Sequence, residues 1–280
     1  MNLAVGFFDG VHQGHRRILA RADAALTFRN HPTTIFAPER APRLLMTTDA
    51  RLRAIASALR SDGGVRALDF TPALAAQEPA AFADWLRAEY PRLDRLLCGP
   101  NWTFGARGAG DADFLRARGF PVETVSFAEQ GGRPVSSTRI RAALAAGDVA
   151  CATELLGRPW RAAGTEVPGK GLGREIGFPT LNLHLADGLV SPPFGVYAVD
   201  TDLGRGVANW GLAPTMGEQA WTAPVLEVHL FGAPSSDAAR GPGRAHWADL
   251  LAFLRPERTF PSLAELQAQI ARDVEQARNA

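Results

Sequence analysis

Up to about residue 157 the chain alternates short apolar runs with helical patterns, and this alternation constrains its fold more than any other feature. Strand candidates lie at 2–5, 25–28, 65–70, 96–98 and 123–127. Helical patterns separate them at 15–22, 49–61, 79–90, 111–119 and 137–147. A last helix is expected at 148–156, with Asp148 as its N-cap and Gly157 as its stop. Strand and helix in alternation demand a parallel sheet covered on both faces, so the first half is expected to be an α/β, Rossmann-like domain. Its ligand site should lie at the carboxyl ends of the strands.

Beyond about residue 160 the texture changes. Gly and Pro become dense and short β-type runs take over, at 162–167, 181–185, 196–201, 206–210, 225–231 and 250–254. Runs of this kind separated by turn residues predict a small antiparallel β-barrel. Ser262-Leu263-Ala264-Glu265 is a capping box, and Leu263, Leu266, Ile270 and Val274 follow at helical spacing. One amphipathic helix should therefore close the second domain. The expected domains are 1–157 and 158–280, with 233–243 a loose loop.

Charge and cysteine content exclude several function classes. The 30 basic and 29 acidic residues leave a net charge of +1, which gives no field favouring nucleic acid or an anionic membrane. Lys170 is the only lysine. Cys98 and Cys151 are far apart, in a spacing that suits neither a disulfide framework nor a zinc site. The first ten residues have no basic region, and no stretch approaches the ~18 apolar residues of a spanning helix, so a cytoplasmic protein is expected.

Three pieces of the first half could carry chemistry. Gly6-Phe7-Phe8-Asp9-Gly10-Val11-His12-Gln13-Gly14-His15 follows the first strand and opens the first helix. His12 and His15 are three apart, which turns both rings to one side, and Gly10 and Gly14 leave no Cβ where a phosphate chain would approach. The helix N-terminus adds free N–H groups and a partial positive charge. Ser136-Ser137-Thr138-Arg139-Ile140-Arg141 sets three hydroxyls and two arginines at another helix start; alone it reads as a cap, and it would also bind phosphates. Gly99-Pro100-Asn101-Trp102-Thr103-Phe104-Gly105 follows the fourth strand, where a ligand loop or an aromatic turn would lie.

In the second half, residues 168–183 read PGKGLGREIGFPTLNL. Four glycines in nine residues could wrap a phosphate or make a flexible hairpin; the run is neither G-x-x-x-x-G-K-[ST] nor G-x-G-x-x-G. Thr180 and Asn182, two apart on a strand, point the same way, so a hydroxyl and an amide oxygen could share a magnesium ion. In Leu226-Glu227-Val228-His229-Leu230, alternation puts Glu227 and His229 opposite the three apolar residues, as on any half-exposed strand.

These motifs resemble those of bacterial bifunctional riboflavin kinase/FMN adenylyltransferases over about residues 3–278. The first-half runs, with His31-Pro32 and Gly110-Asp111, look like the nucleotidyltransferase module. Gly-x-Gly-Arg-x-x-Gly-Phe-Pro-Thr-x-Asn, Gly195-Val196-Tyr197, Asn209-x-Gly211 with Pro214-Thr215, residues 226–230 and Leu254-Arg255-Pro256-Glu257 with Phe260 look like the kinase module. The resemblance implies that ATP and magnesium convert riboflavin to FMN, and that a second ATP converts FMN to FAD with release of pyrophosphate. It implies that His12 and His15 stabilise the triphosphate, with Gly6, Phe8, Asp9, Gly10, Gly14, Ser136, Ser137, Thr138 and Arg141 around it. His31, Asn101 and Trp102 would position nucleotide or flavin. Gly171, Gly173, Arg174, Gly177 and Pro179 would form the kinase phosphate loop, Thr180 and Asn182 would hold magnesium, and Glu227 would be the general base.

The chain departs from the family pattern at Leu181, which replaces the usual small residue of Pro-Thr-Ala-Asn, and at two larger places. The first helix is short, and residues 231–237 replace an Asp-Leu-Tyr-Gly-like turn. The altered turn motivates a narrower alternative, an adenylyltransferase with a vestigial kinase; a non-catalytic flavin-binding module is the alternative from another class.

Overall fold

The computed structural model describes residues 1–169, 177–212, 224–232 and 241–280. Lys170, Gly171, Gly173, Arg174, Pro214, Thr215 and residues 233–240 lie outside the described residues. The chain forms two compact units, Met1–Ser137 and Thr138–Ala280.

The first unit is built on five parallel strands: β1 (Asn2–Val5), β2 (Ala24–Phe28), β3 (Val65–Leu68), β4 (Arg95–Cys98) and β5 (Val122–Thr124), in the order β3-β2-β1-β4-β5. Residues alternate between the two faces of these strands. Leu3, Val5, Leu26, Leu96 and Cys98 join one core with Phe82 and Leu86 of the helix Pro79–Glu89. Ala4, Ala25 and Leu97 join a second core with Ile18 and Leu19 of α1 (Gln13–Leu19) and Ile55 of α2 (Thr48–Ala58). Both faces are thus covered, as a parallel sheet requires. The order turns back at β1, whose neighbours β2 and β4 lie on opposite sides, so the crevice favoured for ligands opens at its carboxyl end.

Several boundaries differ from the sequence expectation for local reasons. β3 stops at Leu68 because the Asn30 side chain supplies both hydrogen bonds of the Phe70 main chain, at 2.8 and 2.9 Å, in place of a strand partner. β5 stops at Thr124 because its partner β4 ends at Cys98, before Gly99-Pro100. α1 starts at Gln13 because the His12 ring caps it, its Nδ1 accepting from the His15 N–H at 3.3 Å.

The second unit contains a closed antiparallel barrel. Its strands are β6 (Trp160–Glu166), β7 (Thr180–Leu185), β8 (Gly195–Thr201), β9 (Gly204–Gly211), β10 (Val225–Leu230) and β11 (Ala245–Pro256), ordered β6-β7-β10-β9-β8-β11. β11 runs longer than the expected 250–254. It pairs with β6 through residues 245–250 and with β8 through residues 248–256, and two register shifts let it turn between them. The helix Val149–Leu156 packs on β6 and β11; Asp148 accepts from the Cys151 N–H at 3.0 Å, and Gly157 ends it at φ 74°.

The helix α3 (Leu263–Arg278) packs on β8, β9 and β11 with a face displaced from the apolar stripe. Gln269, Asp273 and Ala277 are its buried residues, while Leu263 is 52% exposed. Asp273 turns inward because Arg255 of β11 donates to it from Nε and Nη2, the latter at 2.7 Å, and Gln269 Nε2 donates at 2.7 Å. Val274 still packs against the apolar cluster around Val196, Ala198 and Val207.

Candidate functional site

The loop after β1 is held in a strained shape. Phe8, Gly10 and Val11 have φ of 58°, 80° and 41°, and a bulky or β-branched residue in this region costs roughly 1–3 kcal/mol. Asp9 offsets that cost: its buried carboxylate accepts from the Leu45 N–H with both oxygens at 3.1 Å. Ser137 Oγ donates to the Asp9 carbonyl at 2.9 Å, so the second hydroxyl of the Ser-Ser-Thr run is tied to the loop. Glycine relieves crowding twice. A Cβ on Gly14 would meet the His12 ring at 3.2 Å, and one on Gly6 the Phe8 ring at 3.0 Å.

His12 and His15 stack with ring centroids 3.6 Å apart and planes 17° from parallel. Because His12 Nδ1 accepts the backbone bond, its ring proton belongs on Nε2. His15 Nδ1 is buried without a hydrogen-bond partner among the described residues. Burial first, then the neighbouring His12 and Arg51, hold the His15 imidazole well below the usual histidine range, so it is neutral at physiological pH.

Beside this loop is a cavity of about 690 Å³. Its floor comes from the strand ends Val5-Gly6, Leu26, Phe28 and Leu68, and its walls from Pro32, Phe36, Phe70, Phe82, Trp85, Trp102 and Phe104. Arg66 and Arg107 are its cationic members. Trp102 stacks on Phe104 at 4.9 Å, and Phe104 lies 4.8 Å from Phe82. Flat aromatic walls with few polar groups suit a planar heteroaromatic ligand. His31 accepts from the Thr33 N–H at 3.2 Å and sets its ring edge-on to Phe7 at 4.7 Å, and Asn101 is exposed on the loop after β4. Ser136 is half-buried before the helix Ser137–Ala145; Thr138 and Arg141 occupy its first turns, exposed and half-buried respectively.

On the barrel, strand register builds a polar row. Asn182 lies directly opposite Glu227, and Glu227 opposite Asn209. Directly paired residues share a face, so these three side chains stand together, with Thr180 and His229 paired in the adjoining row. Leu181, Leu183, Leu226 and Val228 occupy the other face. Asn209 Nδ2 donates to Glu257 Oε1 at 3.0 Å. Gly211 makes room for that carboxylate, which a Cβ would meet at 1.9 Å. A Cβ on Gly169 would meet Asn182 Nδ2 at 2.1 Å, so the backbone of the glycine run crosses the Asn182 amide at this point. His229 Nδ1 donates to the Pro179 carbonyl at 3.1 Å, and Gly177 holds φ 85°. Thr180, Asn182 and Glu227 offer hydroxyl, amide and carboxylate oxygens, the hard donors that magnesium takes.

Sequence reasoning gave no role to Arg51, and took Gly169, Asn209 and Glu257 only as members of motifs. Arg51 was visible as a charged residue on the apolar stripe of α2, four before Ile55; Asn209 and Glu257 become partners only once β9 is paired.

Comparisons with known proteins agree with this two-part arrangement. Residues 1–139 match the FAD synthetase family model and residues 156–280 the riboflavin kinase model. The chain is 37% identical to a Pseudomonas fluorescens bifunctional riboflavin kinase/FMN adenylyltransferase, covering 98% of this chain and 91% of that protein. An Escherichia coli K12 protein of the same name is 38% identical, with 97% and 90% covered, and one from Bacillus subtilis 168 is 30% identical, with 98% and 90% covered. A solved Streptococcus pneumoniae structure described as a macrolide-efflux protein superposes with a TM-score of 0.84 at 26% identity, covering 100% of this chain and 94% of that one. No helix among the described residues is long and apolar enough to cross a membrane.

Proposed function

The chain belongs to the bifunctional riboflavin kinase/FMN adenylyltransferase family, and from that premise we propose how its residues share the two reactions. The enzyme phosphorylates riboflavin to FMN and adenylylates FMN to FAD. Residues 1–157 carry the adenylylation and residues 158–280 the kinase step. Its substrates are the small molecules riboflavin, FMN and ATP, and it works in the cytoplasm without nucleic acid.

In adenylylation, a phosphate oxygen of FMN attacks the α-phosphorus of ATP. The bond from that phosphorus to the bridging oxygen breaks, and pyrophosphate leaves with the electron pair. No strong base is needed, because the nucleophile is already an anion. What the protein supplies is alignment and charge neutralisation. The observation that carries this reading is the stacked His12–His15 pair on the strained loop. In this reading His12 and His15 hydrogen-bond the triphosphate as charge shifts toward the leaving group. Gly6, Phe8, Asp9, Gly10 and Gly14 shape the loop beneath it, and Ser136, Ser137, Thr138 and Arg141 take the outer phosphates. The isoalloxazine ring of FMN lies against Trp102 in the aromatic cavity, with His31 and Asn101 at its edges.

In the kinase step, the 5′-hydroxyl of riboflavin attacks the γ-phosphorus of ATP, ADP leaves, and Glu227 accepts the hydroxyl proton. A free carboxylate of pKa about 4.3 is a weak base, so Glu227 mainly orients the hydroxyl and takes its proton late. Thr180 and Asn182 would hold magnesium, which when bound neutralises phosphate charge. The glycine run through Gly177 and Pro179 wraps the phosphates, with Gly171, Gly173 and Arg174 as its other members.

The test is product analysis with riboflavin, ATP and magnesium. FMN followed by FAD is expected. FAD from supplied FMN but never from riboflavin would establish the vestigial-kinase alternative, and binding without either product the non-catalytic one.

A further inference from the structure

One buried cation in the first unit has no part in the mechanism above. Arg51 of α2 is 0% exposed. Its Nη1 donates to the Phe7 carbonyl at 2.7 Å and to Thr27 Oγ1 at 3.1 Å. Its Nη2 donates to the carbonyls of Phe28 and Arg29 at 2.7 and 3.0 Å. The Thr27 hydroxyl donates in turn to the Phe7 carbonyl at 3.2 Å. The guanidinium also lies 4.0 Å from the centre of the Phe7 ring, whose edge meets His31.

These contacts join the two loops at the working edge of the sheet. Phe7 leads through Phe8 and Asp9 to His12, and Phe28 and Arg29 lead to His31 and Pro32. The carboxyl end of a parallel sheet gathers carbonyl oxygens, whose negative ends oppose a polyanionic substrate. Arg51 takes three of those carbonyls on one delocalised cation and leaves a positive charge beneath the loop. Burial lowers its own pKa to about 10 while Asp9 opposes the shift, so it stays charged across the working range.

We propose that Arg51 is a positioning residue for adenylyl transfer: it locks the ends of β1 and β2 together and thereby fixes the loop that aims His12 and His15 at the α-phosphorus. The proposal rests on the reading of the first unit as the adenylyltransferase, and the wild-type assay for FAD tests that reading separately. A lysine carries the charge but cannot fork to acceptors on two strands.

The experiment compares wild type, Arg51→Lys and Arg51→Met in the full chain, with FMN and ATP for one activity and riboflavin and ATP for the other. Arg51→Lys should lower kcat for FAD formation about 100-fold, the effect of a displacement on the order of 1 Å, with KM moving less and FMN formation from riboflavin unchanged. Arg51→Met should lose at least as much. The acidic limb of its kcat profile should also move to higher pH, because His15 stays buried beside His12 but loses its positive neighbour Arg51. FAD formation within twofold of wild type in Arg51→Lys overturns the proposal. So does an Arg51→Met enzyme that folds and loses activity with an unshifted profile, since that marks a purely structural role. If Arg51→Met does not fold, the Arg51→Lys result decides.

Discussion

The loop after β1 and the polar row on the barrel are the two sites proposed for phosphate chemistry, and they are built in opposite ways. The loop is assembled from buried polar contacts distant in sequence: Asp9 with Leu45, Ser137 with Asp9, and Thr27 and Arg51 with Phe7. Those contacts hold Phe8 and Val11 at backbone angles that neither would adopt alone. The row Asn182–Glu227–Asn209 needs only that three strands pair in register. A site made by register is rigid because the barrel is closed, and a site made by a strained loop is rigid because its neighbours allow no alternative. The first should tolerate changes to its surroundings, and the second should not.

The largest expected effect separates the two sites directly. His12→Ala removes one imidazole of the stacked pair and the cap of α1, and should cut FAD formation from FMN about 10³-fold while leaving FMN formation from riboflavin intact; equal loss of both activities would collapse the distinction. Glu227→Gln should cost the kinase step roughly 10²-fold, the contribution of a positioned general base, and spare adenylylation. Product quantification with each substrate alone reads both.

Stability sharpens the contrast. Asp273→Asn leaves Arg255 mostly buried without its counter-ion and should destabilise the barrel by about 3 kcal/mol, seen as an earlier denaturant midpoint for the second unit; an unmoved midpoint would mean that α3 contributes no stability. The smallest effect comes from pH. His15 is held below its unfolded pKa of about 6.5, so below that value the unfolded chain binds a proton that the folded loop refuses. Melting of the first unit should therefore fall as pH drops from 7 toward 5, and His15→Gln should flatten the slope. A slope unchanged by that substitution would assign the acid sensitivity elsewhere.

Much of this was legible before folding. The β1 run, the cap at Asp148 and the stop at Gly157 are short-range signals, and the structure places them as read. The pairing of His12 with His15 followed from a three-residue spacing at a helix start. The face of α3 did not follow from its apolar stripe, because an ion pair with Arg255 outweighed the pull of Leu263 toward the barrel. Arg51 belongs to no motif, and its place on the apolar stripe of α2 is a weak signal because an arginine on a helix ordinarily lies in solvent.

The sequence by itself determined the order of the main strands and helices, that the chain divides into an α/β half and a barrel half, and which short motifs could meet a phosphate. Those properties come from periodicity, capping and glycine placement, which act within one or two turns of chain. Only the tertiary structure decided that Arg51 belongs under the first loop, that Asn209 and Glu257 join Glu227, and that Gly169 crosses Asn182. Each of these depends on a buried polar group finding partners from another element, and the need to satisfy such a group is settled only when the chain closes around it.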